Sequence, residues 1–213
     1  MTRVQDFPVL SRSPMIPAEI MRVLEHVDIG SLNVKKTVSR ELSRLDDKTL
    51  LTLPEVVERA LGADHPEFAK ALHRLAVLYH SRDNLEKAEF LYRRALDTAE
   101  RAFREPNMEW GLMINNFGRA LYDQKKLAEA EEAYKQAIRL LQQAFGPQHR
   151  KLATPLSNLG NLYRDQEAWS LAESMYESSL AIMVEALGPL HPRVVRTREK
   201  LAAVKLRNSG QSI

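Results

Sequence analysis

The 213-residue chain sets 31 Lys and Arg against 28 Asp and Glu, a formal net charge of +3, too small to demand nucleic acid or an anionic membrane as partner. It has no cysteine, which excludes a disulfide framework and thiolate metal sites. With 44% hydrophobic and 28% charged residues it can bury a core and stay dissolved, and it holds no run of about 18 apolar residues of the kind that spans a bilayer.

In chain order, residues 1–16, "MTRVQDFPVLSRSPMI", show little pattern and are expected to be an extended or disordered arm. They lack the continuous apolar stretch of a secretory signal, so a cytoplasmic, reducing setting is expected. Residues 17–61 are expected to form a helical cap. Ala18 to Val27 follow Pro17, Val34, Val38, Leu42 and Leu45 carry a helical spacing, and Pro54 to Leu61 form a third segment with Thr52 as its cap.

From residue 62 one pattern recurs every 42 residues without gaps. Ala88, Ala130 and Ala172 are in phase, as are Tyr92, Tyr134 and Tyr176. A small column runs Ala76, Gly118, Gly160, Ala202, beside a large one of Leu75, Phe117, Leu159, Leu201. Each unit predicts two helices. Trp110, Ile114, Phe117 and Leu121 make one apolar face at helical period, and Leu127, Ala130, Tyr134, Ala137 and Leu141 make its partner. Asp123 to Lys126 suit a tight turn between them. The small column is expected to let the paired helices approach closely, with Ala88, Ala130 and Ala172 facing it. Gly62, Gly146 and Gly188 stand where a left-handed residue ends a helix, and Pro66 and Pro192 open the next one. The last half unit places Arg198 and Lys205 at interior positions, which predicts a terminal capping helix with one face in water. Residues 62–208 are thus expected to be an array of three full units and a cap, and 209–213 a frayed tail.

These residues resemble the tetratricopeptide repeat, in which Leu, Gly, Tyr, Ala, an aromatic and Ala stand at fixed offsets. Here they are Leu75, Ala76, Tyr79, Ala88, Tyr92, Ala95; then Phe117, Gly118, Leu121, Ala130, Tyr134, Ala137; then Leu159, Gly160, Tyr163, Ala172, Tyr176, Ser179. The 42-residue length, with "ALGADHP" (60–66) and "ALGPLHP" (186–192), is similar to the kinesin-light-chain type. "FREPNM" (103–108) departs from that turn, so the second unit should be entered differently. The resemblance implies an all-α, right-handed superhelical solenoid of antiparallel helix pairs with a helical N-terminal cap.

In such a stack the first helix of each unit lines the concave side. Its unpacked stripe holds Lys70, Arg74, Val77 and Ser81; Leu112, Asn116, Arg119 and Asp123; Thr154, Asn158, Asn161 and Asp165; and Arg196, Lys200, Ala203 and Arg207. His73, Asn115 and Arg164 border it. Basic residues outnumber acidic ones there by about four. Amides can pair the open backbone of an extended peptide, and Arg or Lys its acidic groups. The candidate peptide-binding residues are Lys70, His73, Arg74, Asn115, Asn116, Arg119, Asn158, Asn161, Arg164, Arg196 and Lys200. The resemblance implies cargo or partner contacts at such positions, with Asn116 and Asn158 the nearest matches. Val77 and His73 depart from the carboxylate clamp of chaperone-binding members.

Other chemistry finds little support. His65, His149 and His191 fall at inter-repeat turns, where a structural role is expected. His73 and His80 share a helix face without a third ligand at metal spacing, so no metal is expected. No phosphate loop, nucleophile elbow or zinc motif is present, and neither catalysis nor a cofactor is expected. Tyr122 is the one aromatic read beside the stripe, too few for stacking single-stranded nucleic acid. The expected function is an adaptor or scaffold that binds an extended, acidic segment of another protein. The competing expectation is self-assembly, with the N-terminal arm in a neighbouring copy's groove.

Overall fold

The computed structural model describes residues 62–210 together with Thr52, Pro54, Glu55, Glu58 and Arg59. The expected arm (1–16), the expected cap (17–61) apart from those five positions, and residues 211–213 lie outside the described residues. Thr52 is itself helical, so it does not serve as the expected cap. Among the described residues every regular element is a helix. The chain divides into two compact units, Met1–Arg104 and Glu105–Ile213.

In the first unit α1 (Pro66–Ser81) pairs with α2 (Leu85–Ala102). Phe68, Leu72, Leu75 and Tyr79 supply the buried stripe of α1, and Ala88, Leu91, Tyr92, Ala95 and Ala99 that of α2. In the second unit α3 (Met108–Asp123) pairs with α4 (Leu127–Phe145). A 3-10 turn at Arg150–Leu152 leads to α5 (Ala153–Asp165), which pairs with α6 (Trp169–Leu187). Last comes α7 (Pro192–Asn208), packed on α6. The apolar faces predicted from spacing are the faces that are buried: Ile114, Phe117 and Leu121 meet Ala130, Tyr134, Ala137 and Leu141 in the interior.

What faces the small column differs from expectation. A Cβ on Gly118 would lie 2.9 Å from the Tyr134 ring and 3.2 Å from Ala133 Cβ, and one on Gly160 would lie 2.9 Å from the Tyr176 ring. The glycines therefore make room for the tyrosine column rather than for Ala130 and Ala172. A second small column, Ala69, Gly111 and Ala153, stands seven residues earlier. There a Cβ on Gly111 would come within 2.6 Å of Leu141.

The turns inside the hairpins share one design. Asp83, Lys125 and Glu167 have φ of 59°, 64° and 58°, the left-handed region, and stand in repeat register. Around Lys125, Lys126 N–H donates to Leu121 O (2.9 Å) and Lys125 N–H to Tyr122 O (2.9 Å). Glu167 and Ala168 bond Arg164 O and Tyr163 O in the same way at 3.0 and 2.9 Å. These are Schellman closures, which use up the last carbonyls of the helix, and they are built without glycine. Because a non-glycine residue costs roughly 1–2 kcal/mol there, Lys125→Gly is expected to hold or raise stability. Lys125→Val, branched at Cβ, is expected to lower it by about 1–2 kcal/mol. Chemical denaturation of both variants checks the opposite signs.

The turns between hairpins use another device. Gly146 has φ 85° and ψ 166°, and Gly188 φ 83° and ψ 158°. This is not the left-handed helical residue expected from the sequence but an extended, positive-φ conformation that only glycine adopts readily. Three residues on, a histidine caps the next helix. His65 Nδ1 accepts from Glu67 N–H (3.1 Å), His149 Nδ1 from Lys151 N–H (3.4 Å) and His191 Nδ1 from Arg193 N–H (3.2 Å). The structural role expected for these histidines is thus a cap on otherwise unsatisfied amides. The divergent segment 103–108 does enter its helix differently: Asn107 Oδ1 accepts from Trp110 N–H at 3.0 Å.

The last described helix turns one side to water. α7 buries Val194, Thr197, Leu201 and Val204. Arg198, Ala202 and Lys205 are exposed, although the repeat register equates Arg198 with the buried Ile114 and Leu156. Lys205 reaches back to Glu177 (2.6 Å) and Glu173 (3.6 Å) on α6.

Candidate functional site

The expected stripe falls into two parts, one in each unit. On α1, Lys70 Nζ donates to Glu67 Oε1 one turn earlier (2.7 Å). His73 is tilted against the Tyr92 ring with centroids 5.8 Å apart, and His80 meets the same ring edge-on at 6.4 Å. The two histidines thus share a tyrosine as packing partner. Burial pushes the Tyr92 hydroxyl well above the ordinary phenol range. Arg74 is half-buried on the same helix.

In the second unit, side-chain bonds place α3, α5 and α7 side by side. Asn158 Nδ2 on α5 donates to Asn115 Oδ1 on α3 (3.0 Å), and Asn115 Nδ2 donates to Asn116 Oδ1 (3.2 Å). Tyr122 on α3 donates its hydroxyl to Asp165 on α5. Lys200 Nζ on α7 donates to Asn161 Oδ1 on α5 (2.9 Å), and Arg193 Nη2 donates to Thr154 Oγ1 (2.9 Å). The amides that recur at the repeat period therefore form a ladder across neighbouring hairpins. Asn115, expected at the border of an open stripe, is 4% exposed and is the buried rung of that ladder.

Charge along this face is more unequal than the sequence count suggests. Arg119 is paired with Asp123 (2.9 Å) and Arg164 with Asp165 (2.6 Å), so two arginines are largely offset. At Asp165 burial opposes ionisation, but the bonds from Tyr122 and Arg164 outweigh it and hold the carboxyl below the usual range. Arg196 is exposed and has no ion-pair partner among the described residues. Lys200 is half-buried, and its bonded partner is a neutral carboxamide. Burial lowers its ammonium pKa first, and Arg164, Arg196 and Arg119 lower it further by repulsion. Positive potential is therefore concentrated where α5 meets α7.

Two contributors were missed in the sequence. The Tyr176 hydroxyl donates to Asn161 Oδ1 (2.8 Å), and Lys200 Nζ lies 6.0 Å from the Tyr176 ring centroid. Burial pushes that phenol up to about 12. In the sequence Tyr176 stands out only as a repeat-register residue; its place opposite Gly160, beside the stripe residue Asn161, was the available signal. Arg193 extends the basic line of α7 by one turn, and its spacing to Arg196 and Lys200 was legible. On the other side of the unit a cleft of about 730 Å³ lies between α4 and α6, with Ile138, Leu156, Leu171 and Met175 in its walls. Leu171 is 50% exposed where the repeat register places Glu129 and Lys87. No described helix is long and apolar enough to cross a membrane.

The sequence and fold were compared with known proteins. A search of curated proteins finds no match. Among solved structures, BtubC (BKLC) from P. vanneervenii is similar with a TM-score of 0.68 at 22% identity, covering 99% of this chain and 85% of that one. A kinesin-light-chain-type protein of Podosopora anserina with nearly identical TPR-like repeats is similar at 17% identity, with a TM-score of 0.62 and coverage of 84% and 87%. A single-site variant of it gives 0.63. At these identities the likeness concerns the fold, which is that of kinesin-light-chain-like repeats. The family model described as tetratricopeptide repeat matches residues 54–101, 111–183 and 153–211. With the 42-residue hairpins and the tyrosines set against small residues, the chain belongs to the tetratricopeptide-repeat family.

Proposed function

We propose that this chain is a non-catalytic adaptor that holds an extended, acidic segment of another protein along α3, α5 and α7. Tetratricopeptide repeats generally mediate protein–protein interaction, so binding another protein is the family's common use. The choice of face and of an acidic partner rests on one observation. Among the described residues no carboxylate is bonded to Arg196 or to the half-buried Lys200, and beyond the effect of burial, repulsion from Arg164, Arg196 and Arg119 depresses the Lys200 ammonium. A charge-bearing groove with low-dielectric walls attracts the opposite charge and orients it. The edges of the amide ladder offer donors and acceptors to an extended backbone. In unit 1, Lys70, His73 and Arg74 are proposed to contact the same kind of segment.

The test uses residues whose loss leaves no buried group orphaned. Asn158→Ala would strand the buried Asn115 oxygen, a cost of about 1–3 kcal/mol, so it confuses binding with folding. Arg119 and Arg196 are exposed. Arg119→Glu with Arg196→Glu is expected to leave stability within about 0.5 kcal/mol and to remove partner proteins captured from a cell lysate. Undiminished capture by the folded double variant would defeat the reading.

A further inference from the structure

The junction of α5 and α7 is specified more narrowly than a generally basic trough. Arg164 lies one turn beyond Asn161 on α5, and Arg196 one turn before Lys200 on α7. The Lys200–Asn161 bond of 2.9 Å locks the two helices together at this point, so the three cations are gathered at one place. The gathering is held from beneath. Tyr176 donates to the same Asn161 oxygen at 2.8 Å, and the carboxamide, fixed as an acceptor by the phenol, fixes the ammonium in turn. Asn161 and Tyr176 are positioning residues for Lys200.

The compensation for this charge is incomplete. Asp165 is bonded to Arg164 and Tyr122, and neither Lys200 nor Arg196 has a carboxylate bonded to it among the described residues. An ammonium carries three donors, and one of them goes to Asn161. Two N–H groups of Lys200 and the guanidinium of Arg196 therefore have their bonding capacity open. We propose that the α5–α7 junction takes a phosphoryl group carried on the bound peptide, with Lys200 and Arg196 as its cationic ligands beside the Asp165-paired Arg164. The inference rests on the trough being the peptide site.

A phosphoryl group fits better than a single carboxylate for two reasons. It carries nearly two negative charges at neutral pH and three acceptor oxygens, against one charge and two oxygens. It also matches the forked guanidinium of Arg196 while Lys200 supplies a point charge; Arg164, its own fork held by Asp165, adds positive potential beside them. Burial lowers the Lys200 ammonium pKa first, and repulsion from Arg164, Arg196 and Arg119 lowers it further, against a partial offset from Asp165; a bound dianion would relieve the repulsive part. Phosphorylation of the partner would then raise its affinity for this trough.

Isotope-labelled full-length chain titrated with N-acetyl-O-phosphoserine amide, N-acetylglutamate amide and inorganic phosphate, followed by NMR, tests this. The phosphoserine derivative is expected to shift signals of α5 and α7 and to bind roughly tenfold more tightly than the glutamate derivative. Lys200→Gln, and independently the exposed Arg196→Gln, should each weaken it by roughly tenfold. Arg198→Gln, about 200° around α7 from Lys200, should leave it unchanged. Equal affinity for the glutamate derivative overturns the phosphoryl assignment. Insensitivity to both Lys200→Gln and Arg196→Gln overturns the site, and inorganic phosphate binding far more tightly than the phosphoserine derivative overturns its peptide origin. None of these readouts uses a captured partner, so the general trough reading stands or falls separately on the Arg119/Arg196 reversal.

Discussion

Gly118→Leu is expected to lower the folding free energy by about 3 kcal/mol, the upper end of the range for an overpacked interior. Even a methyl group there would sit 2.9 Å from the Tyr134 ring, and Tyr134 is 1% exposed, so the ring has nowhere to retreat. The cause is contact between two side chains and not backbone strain, which gives the prediction a second arm. Tyr134→Ala alone should cost about 3–5 kcal/mol as a large buried truncation. Combined, the two changes should cost clearly less than their sum, because the leucine occupies part of the space the ring vacates. Urea unfolding of the four proteins measures that coupling. Additive losses would show that Gly118 and Tyr134 do not meet.

Gly188→Ala tests the other use of glycine. Nothing lies within 4 Å of a Cβ built there, so a contact argument predicts no penalty at all. Its φ of 83° with ψ of 158° predicts one: an L-residue held in that region costs of order 1–3 kcal/mol. A loss of about 2 kcal/mol is expected, with no rescue from trimming neighbours, because the cost is local to the backbone. A thermal melt that shows no change would mean that the turn can re-form with ordinary dihedrals. The turn positions the His191 cap of α7, so α7 should be the first element to loosen.

The hairpins were legible because their information is periodic. The faces of α3 and α4, the turn at 123–126 and the exposed Arg198 and Lys205 of the end helix all follow from residue type at a fixed register. The close approach at Gly118 was legible in kind but not in partner, since small residues say that something is near without saying what. Tyr134 and Tyr176 were legible as repeat-register residues, with Tyr134 on an apolar face, but not as the rings that Gly118 and Gly160 accommodate. The left-handed turns at Asp83, Lys125 and Glu167 left no trace because their residue types are ordinary for a helix surface. At the candidate site the stripe residues were found, but their bonds were not. That Asn115 is buried and Asn161 serves Lys200 depends on rotamers and on the neighbouring hairpin, which helical spacing does not encode.

α7 packs on α6 on one side and meets water on the other. In a linear array a helix with one side in water can come loose on its own while the interior stays folded. Two of the cations gathered at the junction ride on it, so occupancy and order are thermodynamically linked. An anion held by Lys200 and Arg196 suppresses fraying, and fraying dismantles the receptor. Amide protons of α7 should accordingly exchange more slowly when the junction is filled, a sign of engagement readable before any partner is identified.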